Sequence, residues 1–288
     1  MTPCAPRRER SASWRRSSAK PGLPALEAVG TTSIGVSTEQ AVRQLGGRLL
    51  ARTNRFRKRG AAAYCPCCGV WQRPFNDVIQ PDRQCWVCGS LERHRLLSIL
   101  FDLRPELLRP GLRILHIAPE AQLRDRVKHG ASRYVAGDLT ARFGPERLDV
   151  TALPFGAGEF DAVICNHVLE HVPDDRRAMR EIRRVMGPGG WALLLVPEVR
   201  EAETFETPDV TDPEELFRLH GQHDHVRTYG WDYLDRLREA GLETEVLRLD
   251  EVLTEETIRT CRLLKFGVVD PIFIARPLPV PARPAAVA

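Results

Sequence analysis

Beyond Pro110 the chain alternates between runs of consecutive apolar residues and stretches where apolar residues recur every three or four positions. Buried strands give the first pattern, and helices with one buried face give the second. The strand-like runs are LRILHIA (112–118), RYVAG (133–137), RLDV (147–150), FDAVICN (160–166), WALLLVP (191–197), TEVLRL (244–249) and PIFIAR (271–276). Between them the spacing predicts helices over 120–129, 174–186 and 229–240. The first two stop at Gly130 and Gly187, residues suited to ending a helix. Strands and helices in this alternation build a parallel sheet with helices on both faces. Upstream, Val42, Leu45, Leu49 and Leu50 predict a short helix near 38–52, and Leu91, Leu96, Ile99 and Leu100 predict another across LERHRLLSILFDL.

Length and composition narrow this picture. A chain of 288 residues accommodates one large core, or one core and a small accessory module. The longest apolar run, WALLLV, falls far short of the ~20 residues of a membrane-spanning helix. No apolar segment follows the N-terminal arginines, so no secretory signal is expected and a cytoplasmic location is. Residues 1–60 hold 13 Lys/Arg against 3 Glu, whereas the remainder carries an acidic excess. Ser, Pro, Gly and Ala dominate residues 1–37, which reads as a solvated, disordered leader. Binding of nucleic acid or another anionic surface by this basic arm is the second reading. The expected organisation is a leader over 1–60, a small cysteine-rich module with a helix over 61–104, an α/β domain over 105–277 and a free proline-rich tail over 278–288.

Five of the eight cysteines lie between residues 65 and 88. CPCCG and CWVCG pair Cys65 with Cys68 and Cys85 with Cys88, each pair separated by two residues and followed by glycine. Such tight knuckles aim two sulfurs at one point, and two knuckles supply the four thiolates of a tetrahedral zinc site. Cys67 is a surplus thiol in the first knuckle. With four cysteine ligands and no vacancy for water, the predicted metal is structural.

The junction at His116, Ile117, Ala118, Pro119 and Glu120 has the form of a strand turning sharply into a helix, the place where α/β proteins hold a cofactor. It contains no glycine. Small Ala118 permits close backbone approach, Pro119 suits the first helical position, and Glu120 falls in the first turn. An acidic residue there opposes a pyrophosphate, so a dehydrogenase is the weakest candidate, and a cofactor bearing an ammonium group fits better. Asp138 after the second strand is placed to accept from ribose hydroxyls. Asp149, Leu153, Pro154 and Phe155, then Phe160 and Asp161, Leu169, Glu170 and His171, and Pro188, Gly189 and Gly190 follow in order. This series resembles the class I S-adenosylmethionine-dependent methyltransferases of type 11, over roughly residues 110–277. The departure is the first motif, where that family has an acidic residue followed by Gly-x-Gly.

The resemblance implies a seven-stranded Rossmann-like sheet whose last strand runs antiparallel, with S-adenosylmethionine as cofactor. It implies that His116, Ala118, Pro119 and Glu120 face the methionine part of that cofactor, that Asp138 binds the ribose, and that Asp149 and Val150 border the adenine. Asn166 and His167 would line the cleft between cofactor and acceptor. The cysteine knuckles before SLERHR, then HIAPE and GQHDHVRTYG, further resemble a zinc-ribbon-containing subgroup. His171 reads as a packing or capping residue, and Gly187, Gly189 and Gly190 as a helix end and turn.

GQHDHVRTYG places His220, His223, Asp224 and His225 within six residues, in a segment the resemblance sets over the acceptor side. A histidine titrating near neutrality can remove an acceptor proton. His223, His225 and Glu198 are the candidate catalytic bases; a polar loop capped by Asp224 or His225 is the plainer reading. A second metal site is not expected, because the loop offers no fourth partner. Two functions from different classes remain: a methyltransferase acting on a small molecule or glycan rather than RNA, and a nucleic-acid-binding zinc protein with an inactive methyltransferase-like domain.

Overall fold

A computed structural model describes residues 63–279 other than 74, 79, 198 and 200. The basic leader, the helix expected near 38–52 and nearly all of the tail lie outside the described residues. The first described elements are two short antiparallel hairpins, β1 (Ala63–Cys65) with β2 (Val70–Gln72), and β3 (Asn76–Val78) with β4 (Gln80–Gln84). Helix α1 (Glu92–Leu103) follows directly.

The remaining chain forms β5 (Arg113–Ile117), α2 (Ala121–Lys128), β6 (Arg133–Asp138), β7 (Glu146–Arg147), β8 (Phe160–Cys165), α3 (Asp175–Val185) and β9 (Met186–Leu193). Then come β10 (Phe205–Glu206), α4 (Pro213–His220), β11 (Arg227–Thr228), α5 (Tyr233–Glu239), β12 (Leu242–Leu247), α6 (Leu249–Val252), α7 (Glu255–Thr260) and β13 (Ile272–Pro277). Seven strands make one sheet in the order β7-β6-β5-β8-β9-β13-β12. From β7 to β9 they run parallel; β13 is antiparallel to both neighbours. The expected α/β fold, a seven-stranded Rossmann-like sheet with an antiparallel last strand, is therefore the one that forms.

Alternation along the strands sorts the core into two layers, as a period of two requires. Leu115, Ile117, Val163, Cys165, Ala192 and Leu194 meet Met179, Ile182 and Val185 of α3 and Leu237 of α5 on one face. Ile114, Ala162, Ile164, Trp191 and Leu193 meet Leu96, Ile99 and Leu100 of α1 and Leu123 and Val127 of α2 on the other. The strand order reverses between β6 and β8, on either side of β5, which puts the ligand crevice of such a sheet outside the carboxyl ends of β5 and β8. Among the described residues no helix is long and apolar enough to cross a membrane.

Several boundaries differ from expectation. Helix α3 stops at Val185, and β9 starts at Met186 instead of Trp191: Phe160 pairs with Met186 and Ala162 with Trp191, so Gly187–Gly190 bulge out opposite Asp161. Glycine and proline here form the bulge of a strand rather than a helix end and a turn. Helix α5 begins at Tyr233, four residues after the expected start, because Tyr229 is buried in the preceding loop with its hydroxyl on Asp175 (2.7 Å). Helix α4 was not expected, although Asp212 caps it, Pro213 opens it and Gly221 closes it at φ 75°.

Candidate functional site

In the cysteine module, Gly69 N donates to Cys65 O (2.8 Å) and Gly89 N to Cys85 O (2.9 Å), closing the two knuckles. Both glycines take left-handed backbone, φ 71° and 70°, a conformation that favours glycine. The four sulfurs of Cys65, Cys68, Cys85 and Cys88 lie within 4.8 Å of one another, with Cys65 to Cys88 at 3.6 Å and Cys68 to Cys85 at 3.9 Å. A zinc–sulfur length of ~2.3 Å demands tetrahedral edges of ~3.8 Å. The donor set fits zinc in number, type and spacing. Gln72 Nε2 donates to Cys85 Sγ (3.0 Å), and Ser90 Oγ lies 3.0 Å from Cys65 Sγ, the outer contacts that orient such ligands.

Helix α1 ties this module to the sheet. Arg95, fully buried, donates to the carbonyls of Ser90 (2.6 Å), Cys261 (2.7 Å) and Arg262 (2.6 Å), and Arg83 forks onto Glu92 with two bonds of 2.8 Å. The next two side chains face elsewhere. His94 Nδ1 accepts from Leu91 N (3.1 Å), so in the neutral ring Nε2 carries the hydrogen; that atom is buried and has no hydrogen-bond partner. Burial, helped by the neighbouring Arg93 charge, pulls His94 down to about 3 and keeps it neutral. Arg93 Nε is likewise buried and unpartnered, and the Glu120 and Glu170 carboxylates act on its guanidinium.

At the carboxyl end of β5, Ala118 turns the chain with φ 47°, a left-handed bend that favours glycine, and its N–H donates to Gly137 O (2.8 Å). Helix α2 starts one turn position later than expected: Glu120 is its N-cap and Pro119 precedes it. Glu120 makes no cap bond. Its Oε2 accepts from Nε2 of buried His116 (2.8 Å), whose Nδ1 meets the Tyr134 hydroxyl (3.0 Å), and its Oε1 accepts from Asn166 Nδ2 (3.1 Å). Burial pushes the Glu120 carboxyl up, but the His116 bond and charge outweigh it and hold the group at about 2. The loop thus presents a largely enclosed carboxylate, 11% exposed, at the crevice.

Asp138, at the carboxyl end of β6, is 7% exposed. Its Oδ1 accepts from Thr140 N (2.8 Å) and Oγ1 (2.7 Å), and its Oδ2 from Phe143 N (2.6 Å). Burial raises its carboxyl, yet these bonds prevail and hold it at about 2. Two carboxylate oxygens offer about four acceptor sites, and three are taken, so about one is left for a ribose hydroxyl. Leu139 beside it is 60% exposed. Asp149 is exposed and accepts from Thr151 N (2.8 Å) and Oγ1 (2.7 Å), while Val150 is buried.

His167 follows Asn166 at the end of β8 with φ 54°; its Nδ1 stands 3.5 Å from Glu170 Oε1, and its Nε2 is buried without a partner. The histidines of 220–225 separate. His220 bridges Thr207 Oγ1 (2.7 Å) and Thr228 Oγ1 (3.0 Å), and His223 stacks on Phe217 of α4 and bonds Pro213 O (3.2 Å). His225 packs edge-on against His171 (4.6 Å between ring centres), and burial chiefly lowers it to about 4. The structure therefore brings His225 together with His171 and Glu170, and not with His223. Glu198 lies outside the described residues. A separate cavity of about 360 Å³, lined by Arg113, Asp161, Gly190 and Arg276, opens at the amino ends of β5, β8 and β9, the opposite end of these strands from the crevice.

Sequence reasoning passed over Arg93, His94 and Leu139, and gave Glu170 and His171 no site role. The signal available was SLERHR and LEH, charged or ring-bearing residues set inside otherwise apolar segments.

Residues 104–194 match the family model described as "Methyltransferase domain". A ubiquinone biosynthesis O-methyltransferase of Thiobacillus denitrificans is 39% identical over 93 residues, 31% of this chain and 39% of the relative. An uncharacterized methyltransferase of a Mycobacterium species (strain KMS) is 36% identical over 85 residues, 30% of this chain and 27% of the relative. The chain thus spans well under half the length of these relatives. Among solved structures, an S-adenosylmethionine-dependent methyltransferase of Mesorhizobium loti covers 60% of this chain and 96% of its own, at 20% identity and a TM-score of 0.42. The 1,6-didemethyltoxoflavin-N1-methyltransferase of Burkholderia thailandensis covers 61% and 75%, at 16% identity and a TM-score of 0.39.

Proposed function

We propose that this chain is an S-adenosylmethionine-dependent methyltransferase acting on a small molecule or glycan, with a zinc ribbon that serves its structure. The observation that carries the reading is the carboxylate of Glu120, largely enclosed at the reversal point of the sheet, kept ionised chiefly by His116 and hydrogen-bonded by Asn166. An enclosed anion there suits an ammonium group. The unpartnered donors of Arg93 and His94 suit the carboxylate of the same amino-acid end. Asp138 would bind the ribose, with Leu139, Asp149 and Val150 around the adenine, and Ala118 and Pro119 would let the backbone approach. The match over 104–194 and the strand order support the same reading.

When bound, the cofactor supplies a methyl group already activated on a sulfonium. What this chain adds is alignment and exclusion of water, and holding an acceptor in line provides most of the acceleration available to such a reaction. Asn166 and His167 would stand between the two ligands. Of the residues expected to accept the acceptor's proton, His225 lies beside Glu170 near the end of β8, and Glu198 follows β9; His223, stacked on α4, is the weaker choice. The relative's role in making ubiquinone supports an oxygen acceptor on a small molecule. Comparison of metabolites and RNA from cells with and without the gene tests the assignment: one small molecule or glycan lacking the mass of a methylene supports it, and a change confined to RNA overturns the acceptor class.

The zinc assignment rests on the four-sulfur geometry. Cys65, Cys68, Cys85 and Cys88 would hold the ion, and their closed tetrahedron gives it stability to supply rather than chemistry.

A further inference from the structure

The segment after β8 and the histidine-rich loop, 54 residues apart in sequence, meet beside the crevice. Glu170 and His171 belong to a short 3₁₀ turn, Leu169–His171. Val226 N donates to Glu170 O (2.9 Å), and the buried guanidinium of Arg227 donates to the carbonyls of Leu169 (2.7 Å), Pro173 (2.8 Å) and Val172. These bonds fix His225 against the turn. One donor atom each from Glu170, His171 and His225 then falls within 4.8 Å of the other two.

The state of each side chain matters. Glu170 is 1% exposed, and its Oε2 has no hydrogen-bond partner, while its Oε1 stands 3.5 Å from His167 Nδ1. The charges of His167 and Arg93 act on this carboxylate, but a buried oxygen left unpartnered is costly and has room for a further ligand. His171 Nδ1 lies 3.1 Å from Asp224 O. A carbonyl only accepts, so Nδ1 bears the hydrogen and Nε2 keeps its lone pair, the arrangement by which an outer carbonyl orients a metal-binding imidazole. His171 and His225 are both partly exposed, so solvent reaches the cluster while Glu170 closes its inner side.

We propose that Glu170, His171 and His225 form a second divalent-metal site, distinct from the four-cysteine cluster, at the acceptor side of the crevice. Two imidazoles and one carboxylate suit zinc or another first-row divalent ion, and three protein ligands leave positions open for an exogenous oxygen; in the metal-bound state His225 is a ligand and no longer the proton acceptor. On the methyltransferase reading, on which this part rests, that oxygen belongs to the acceptor: a hydroxyl, or a pair of vicinal oxygens that chelate the ion. Sequence reasoning dismissed a second site because it sought a fourth partner within 220–225; the partners come from residues 170 and 171.

The test is cobalt(II) loading of the full purified chain, followed by metal analysis and absorption spectroscopy. Thiolate-to-cobalt charge-transfer bands report the cysteine site, and a second equivalent that adds only weak d–d bands reports nitrogen and oxygen ligands. The proposal expects two equivalents in the native chain, and loss of one in Glu170→Gln, His171→Asn and His225→Asn with the thiolate bands intact, which also shows that each variant is folded. One equivalent in the native chain, or a second that survives all three substitutions, overturns it. Calorimetric titration of S-adenosylmethionine into the same samples separates the two readings: cofactor uptake without a second metal defeats the metal site alone, and a second metal without cofactor uptake defeats the enzyme alone.

Discussion

Asn166 Nδ2 donates to Glu120 Oε1 over 3.1 Å, and the same side chain accepts from Leu195 N over 3.2 Å, so one buried amide links the loop after β5 to the chain leaving β9. Asn166→Ala strips a partner from two buried groups at once. The expected cost is ~1–3 kcal/mol per unsatisfied group. Urea unfolding should show that loss, and S-adenosylmethionine affinity should fall by about tenfold or more, the equivalent of ~1.4 kcal/mol.

Glu120 gives the site a pH signature. Its carboxyl is held at about 2 in the fold, below the ~4.3 of an unfolded chain. A depressed acid contributes stability in full above its unfolded value and loses it as pH falls towards the folded one. Urea midpoints measured from pH 6 down to pH 2 should therefore drop more steeply for the native chain than for Glu120→Gln below about pH 4.3. Parallel curves for the two proteins would show that Glu120 is not held ionised.

Ala118 occupies a backbone region that costs an L-residue ~1–2 kcal/mol and glycine nothing. Ala118→Gly removes that strain but adds freedom to the unfolded chain worth ~0.5–1 kcal/mol, so thermal stability should be unchanged or slightly raised, with cofactor binding kept. Ala118→Val places a branched side chain at the same φ and should lower both. Calorimetric melting and cofactor titration of the two variants check this.

The legibility of the chain follows from how local each signal is. Apolar runs located β5, β8 and β9 well, because these central strands are buried on both faces; the edge strand β7 is the two exposed residues Glu146 and Arg147, so the run at 147–150 met it at Arg147 alone. The 187–190 bulge was read as a turn, since Gly-Pro-Gly-Gly says that the chain bends but not that it returns to the same strand. The knuckles of Cys65 and Cys85 are fixed by four-residue spacings and could be read directly. His94 and His171 could not. Their roles depend on which ring nitrogen a backbone group occupies, Leu91 N in one case and Asp224 O in the other, and those partners are set by tertiary packing.

If the four cysteines hold zinc as proposed, its removal should be felt at the crevice, because Arg95 of α1, the helix that carries Arg93 and His94, bonds Ser90 of that module. Cys85→Ser is expected to release zinc, lower the melting temperature and weaken cofactor binding several-fold. Retention of one tightly held zinc in this variant, measured by mass spectrometry of the metal, would show that four thiolates do not hold it.

On the proposed reading, the enclosed Glu120 carboxylate at the reversal point of the sheet receives the amino-acid end of a sulfonium donor. Calorimetric titration of S-adenosylmethionine into the folded full-length chain tests it most directly. One molecule per chain should be taken up saturably, with affinity sharply weakened by Asp138→Ala and by Glu120→Gln. Absence of uptake by folded protein, or uptake that both substitutions leave unchanged, would contradict it.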